Sequence, residues 1–125
     1  MHKQCWAKCN IQVDESLISI IEALVKFPTL QTIESCQGDR IQAAWVNFYY
    51  GDNWNNDWRT TAEFLFDFLA PALFEEVGDS AHLSMRLHPS GTAIVDLTIR
   101  RECIEKVGHA LNIIFLKFNS FRLHS

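Results

Sequence analysis

Leu17, Ile20, Ile21, Leu24 and Val25 recur at helical spacing behind Asp14 and Glu15, and Pro28 closes the run. Apolar positions three and four apart share one side of a helix, so this stretch predicts an amphipathic helix capped by Asp14. The pattern then changes. Leu30 to Cys36 and Ile41 to Tyr50 are rich in β-branched and aromatic residues and flank Gln37-Gly38-Asp39, which predicts two strands joined as a hairpin. Gly51 to Asp57 is polar apart from Trp54, and Thr60 followed by Glu63 has the capping-box spacing that opens a helix. That helix carries Phe64, Leu65, Phe66, Phe68, Leu69, Leu73, Phe74 and Val77. One face cannot hold them all, so burial on two sides or against a partner chain is expected. Pro71 sits inside it and is expected to kink or split the helix, because it lacks an N–H and its ring crowds the preceding turn.

Beyond Gly78, Leu83, Met85 and Leu87 alternate with His82, Ser84, Arg86 and His88. Val95, Leu97 and Ile99 alternate in the same way with Ile94, Asp96, Thr98 and Arg100. A period of two on both sides of Pro89-Ser90-Gly91 predicts a second hairpin with one apolar and one mostly polar face. Ile104, Val107, Leu111, Ile114, Phe115 and Phe118 form the stripe of a last helix. The order helix-hairpin-helix-hairpin-helix predicts the α+β class, as a four-stranded, largely antiparallel sheet packed by helices. With 125 residues, a single α+β domain over 1–125 is expected, since the length suits one core.

Composition narrows the partners. A hydrophobic content of 48%, with nine Phe and four Trp, favours a compact fold over disorder. The net charge of −4, without a basic stripe, argues against a nucleic-acid partner. Phe64 to Val77 is interrupted by Asp67, Pro71, Glu75 and Glu76, so no membrane span is expected. Met1-His2-Lys3-Gln4-Cys5 has no apolar stretch behind it, and a cytoplasmic protein with Cys5, Cys9, Cys36 and Cys103 as reduced thiols is the expectation.

Thr32-Ile33-Glu34-Ser35-Cys36-Gln37-Gly38 is the one local motif. This T-x-E-S-C-x-G stretch resembles the hairpin motif of a group of small uncharacterised bacterial proteins. It is loosely similar to the Ser-Cys-x-Gly signature of the tRNA wybutosine-synthesis methyltransferase family. Asp39 stands where the first group tends to carry histidine, and the arginine of the second is displaced here to Arg40. The resemblance supports a ligand-binding or catalytic hairpin centred on Cys36, with Ser35, Gln37 and Gly38 beside it; Arg40, Arg86 and His88 are the candidate helpers. Physically, a thiol at a strand end beside a cation such as Arg40 becomes reactive when its thiolate is stabilised. The alternative is that Cys36 packs as a small hydrophobe and Gly38 supplies a positive φ.

No metal or cofactor is expected. His2, Cys5 and Cys9 lack the second half-site that zinc requires. The loop Asp52-Asn53-Trp54-Asn55-Asn56-Asp57 places Trp54 and Asp57 at the third and sixth positions, where a calcium loop needs an oxygen donor and glycine. The polar face of the second hairpin, with His82, Arg86, His88, Asp96, Thr98 and Arg100, suits either an anion or plain solvent. Trp54, Trp58, Phe66 and Phe74 are the candidate interaction surface, for a small protein partner or a homodimer. The chain thus predicts a protein-interaction or binding module without catalysis, with a ligand-binding domain or enzyme centred on the Cys36 hairpin as the alternative.

Overall fold

The alternating segments become four strands and the helical runs pack on them. The structure, a computed structural model, describes residues 15–36, 43–51 and 58–124. Its elements are α1 (Glu15–Val25), β1 (Leu30–Cys36), β2 (Ala44–Tyr50), α2 (Trp58–Ala62), a π-helical segment (Glu63–Leu69), α3 (Ala70–Val77), β3 (Ala81–Leu87), β4 (Ala93–Ile99) and α4 (Ile104–His124). Asp14, residues 37–42 and residues 52–57, Trp54 among them, lie outside the described residues, as do His2, Cys5 and Cys9.

The sheet is antiparallel throughout, in the order β1-β2-β4-β3. Each hairpin contributes one edge strand and one central strand, so β2 and β3 run parallel with β4 between them. Across the centre, Ala44 faces Ile99, Val46 faces Leu97 and Phe48 faces Val95. All six are fully buried, together with Leu17, Ile20 and Leu24 of α1, Leu65 and Leu69 of the π-helical segment, and Leu111 and Ile114 of α4. Apart from Ala44, each such side chain contributes about 1.5–3 kcal/mol by leaving water, so this layer between sheet and helices is the main stabilising element. β3 is an edge strand and only half covers its apolar side, with Leu87 exposed. The opposite face is polar at His82, Ser84, Thr98 and Arg100, yet Ile94 and Asn47 are also buried there.

α1 and α4 pack against each other, and a Cβ added at Gly108 would meet Ile20 Cγ1 at 3.4 Å. Lys26 Nζ fastens the same pair by donating to Asn112 Oδ1 at 2.8 Å. After α1 the chain turns sharply: Thr29 adopts a left-handed φ of 63°, and its carbonyl accepts from Gly51 N–H at 3.0 Å. This turn delivers Phe27 to the end of the core nearest Tyr50 and Phe64.

Pro71 does not split the helix. The run from Trp58 to Val77 is unbroken, and the turn before the proline widens into π-helix, with Ala70 N–H donating to the Leu65 carbonyl five residues back. The wider turn accommodates a residue that has no N–H and whose ring would press on the carbonyl four positions earlier. It also keeps the core stripe straight. Thr61, Leu65, Leu69, Leu73 and Val77 are all buried at a strict repeat of four. That repeat overshoots an α-turn of about 3.6 residues but undershoots the i→i+5 turn, so alternating the two cancels the drift. Nor do Thr60 and Glu63 open the helix as a capping box. It begins at Trp58, and the hydroxyl at work is that of Thr61, which donates to the Tyr50 carbonyl at 2.9 Å.

β1 is bulged. Thr32 faces Phe48 while Glu34 faces Asn47, leaving Ile33 as an extra residue. Beyond the bulge Ser35 comes opposite Val46 and Cys36 opposite Trp45, so the register of the motif differs by one from a regular strand.

Candidate functional site

The residues singled out around Cys36 are not gathered in one place among the described residues. Ser35 is half-buried on β1, and Cys36 ends the same strand, its side chain outside the described ones along with Gln37, Gly38 and Arg40. Arg86 and His88 belong to the other edge of the sheet, three interstrand steps of about 4.8 Å away. Both have local partners. Arg86 Nε donates to Asp96 Oδ2 at 2.8 Å. His88 Nδ1 accepts from Ser90 N–H at 3.1 Å, and the turn closes through His88 N–H to the Thr92 carbonyl and Gly91 N–H to the His88 carbonyl, both at 2.8 Å.

The interaction candidates fare differently. Trp58 is exposed at the start of α2, with the Arg59 guanidinium 5.2 Å from the centre of its ring. Phe66 and Phe74 stand out from the helical run at 54% and 68% exposure. Trp54 lies outside the described residues. A cavity of about 170 Å³ beside Phe74 is lined also by Ala70, Leu73, Ala81, His82 and Leu83.

A larger recess lies where β2, the π-helical segment and α4 meet. Its base is an aromatic cluster around the buried Phe27, whose ring meets Phe64 at 5.6 Å and Phe115 and Phe118 at 5.4 Å between centroids, with interplanar angles of 72°, 88° and 65°. Such edge-to-face contacts align ring edges with the electron-rich faces. Tyr50 lies flat on Phe64 at 3.9 Å and 4°. The Thr61 bond to the Tyr50 carbonyl fixes that end of β2 against the helix. Phe68 and Phe118 approach to 5.1 Å. Outside these rings opens a cleft of about 350 Å³, lined by Tyr50, Thr60, Glu63, Phe64, Asp67, Phe68 and Phe118.

The geometry follows from the π-helical turn. Glu63 and Asp67 form one row and Phe64 and Phe68 the next, each pair four apart, so the segment presents a carboxylate edge beside an aromatic wall. Both carboxylates are exposed, and neither joins an ion pair among the described residues. Among the described residues no lysine, arginine, histidine or cysteine lines the cleft.

Comparison of the chain with protein-family models, with curated proteins and with solved structures gives no match.

Chemically, the cleft can hold an apolar body, and its described residues offer no thiol, imidazole or amine to attack it. A volume near 350 Å³ falls at the small end of ligand pockets, which run to about 1,000 Å³. Among the described residues no group of three or more His, Cys, Asp or Glu is placed to hold a metal, and no helix is long and apolar enough to cross a membrane. Reading the chain alone missed this site. The paired rows of Glu63, Asp67 and Phe64, Phe68 were visible, but Tyr50 and Phe118 come from elements far away in sequence.

Proposed function

We propose that the chain is a binding module without catalysis that takes a small ligand with a flat apolar body in the cleft between β2, the π-helical segment and α4. The observation that carries this reading is the cavity of about 350 Å³ walled by Tyr50, Phe64, Phe68 and Phe118. Aromatic walls with few polar groups are the usual make-up of ligand pockets. The test is an NMR titration with indole as probe. Resonances of Tyr50, Phe64, Phe68 and Phe118 are expected to move at millimolar indole, and Thr60→Trp, which fills the mouth from an exposed position, should abolish the shifts. Unmoved cleft resonances in the native chain would refute the reading.

A second reading, favoured by the exposure of Phe66 and Phe74, is self-association. A two-fold homodimer would cover both rings with their own counterparts. A cytoplasmic setting with reduced thiols suits either reading. The alternative of a ligand or chemical role at the Cys36 turn draws its support from the T-x-E-S-C-x-G motif.

A further inference from the structure

We infer that the ligand of this cleft is a small organic cation, a protonated amine or quaternary ammonium carried on an apolar body. The inference rests on the binding reading above and adds the charge of the ligand to it. Two features of different origin converge. Four aromatic rings, Tyr50, Phe64, Phe68 and Phe118, line the cleft, and the face of such a ring carries negative partial charge that attracts a cation held over it. The mouth carries Glu63 and Asp67, two carboxylates with no ion-pair partner among the described residues.

Other classes of ligand use only half of this site. A neutral apolar molecule would meet the rings and leave both carboxylates idle. An anion would be repelled by two like charges, with no cationic side chain among the described residues of the lining to compensate. A compact inorganic cation would be held by oxygen ligands alone and gain nothing from the rings. Only a molecule with a cationic head and an apolar body engages wall and mouth together. The net charge of −4 raises the local concentration of such a ligand through the field of the whole chain.

Three probes of similar size separate the charge from the fit: 2-phenylethylammonium, the neutral 2-phenylethanol and the anionic 3-phenylpropanoate. Each is titrated into the native chain at low salt and followed by NMR at Tyr50, Phe64, Phe68 and Phe118. The ammonium is expected to bind about tenfold more tightly than the alcohol, as one charge-assisted contact over aromatic rings provides, and the carboxylate most weakly. In the double variant Glu63→Gln, Asp67→Asn the ammonium is expected to bind no more tightly than the alcohol measured on the same variant. If alcohol and ammonium bind equally, or the carboxylate binds best, the cationic ligand is wrong while the cleft still binds. If none of the three moves the cleft resonances, the binding reading fails with it.

Discussion

The side chain of Asn47 completes the hydrogen bonding of Glu34. Asn47 Oδ1 accepts from the Glu34 backbone N–H at 2.9 Å, at the point where the bulge at Ile33 shifts the ladder. Asn47 is 2% exposed, so solvent cannot replace it. Asn47→Leu is expected to cost about 1–3 kcal/mol, the penalty of an unsatisfied buried donor. Urea denaturation would measure it, and a loss below about 0.5 kcal/mol would mean that the strand re-pairs without its bulge.

Phe27 is the hub of the aromatic cluster at 1% exposure. Phe27→Ala should remove about 3–5 kcal/mol of stability, and because the ring supports Phe64 and Phe118, indole binding should weaken with it. A stable variant with an unchanged cleft would show that the wall stands without its base.

Pro71 occupies a turn already adapted to it. Pro71→Ala is therefore expected to raise stability by much less than the roughly 3 kcal/mol that separates proline from alanine inside an α-helix. Denaturant titration of the variant decides. A gain of the full amount would place the cause of the widening in proline strain rather than in the four-residue core repeat.

Phe74 is 68% exposed. Phe74→Asp should leave the unfolding free energy of the monomer within about 0.5 kcal/mol and dissociate any dimer seen by sedimentation. A native chain that sediments as a monomer at tens of micromolar would end the self-association reading.

Nucleic acid offers a check on the charge argument. With a net charge of −4, a gel-shift titration of tRNA or duplex DNA at physiological salt should show no complex, since binding of phosphate backbones depends on releasing counterions to basic residues. A salt-sensitive shift at low micromolar protein would instead favour the likeness to the tRNA-modifying family.

How much of this was legible depended on the range of the determinants. Leu83, Met85 and Leu87 against Val95, Leu97 and Ile99 fixed a hairpin, because alternation is a local property of the backbone. So did the spacing from Ile104 to Phe118 for α4. The π-helical turn was hidden, since Pro71 reads as a breaker until the burial of Thr61, Leu65, Leu69, Leu73 and Val77 shows what the wider turn achieves. The bulge at Ile33 was hidden too, because the acceptor that supports it sits on another strand. The cleft was the least legible: Tyr50, Phe64 and Phe118 meet only after three elements have docked. The motif around Ser35 and Cys36 attracted attention because its residues are contiguous, a property unrelated to convergence in space.

The sheet order has a kinetic consequence. Pairing within each hairpin closes short loops, whereas the central seam joins Val46 to Leu97, about fifty residues apart, at a far greater cost in chain entropy. The two hairpins can form early and separately. The expected rate-limiting event is the entry of β4 beside β2. Substitutions at Val46 and Leu97 should slow refolding nearly in proportion to the stability they remove, while those at Leu83, on the outer edge, should chiefly speed unfolding. Stopped-flow measurements on the three variants would distinguish a seam-limited route from one in which either hairpin templates the rest.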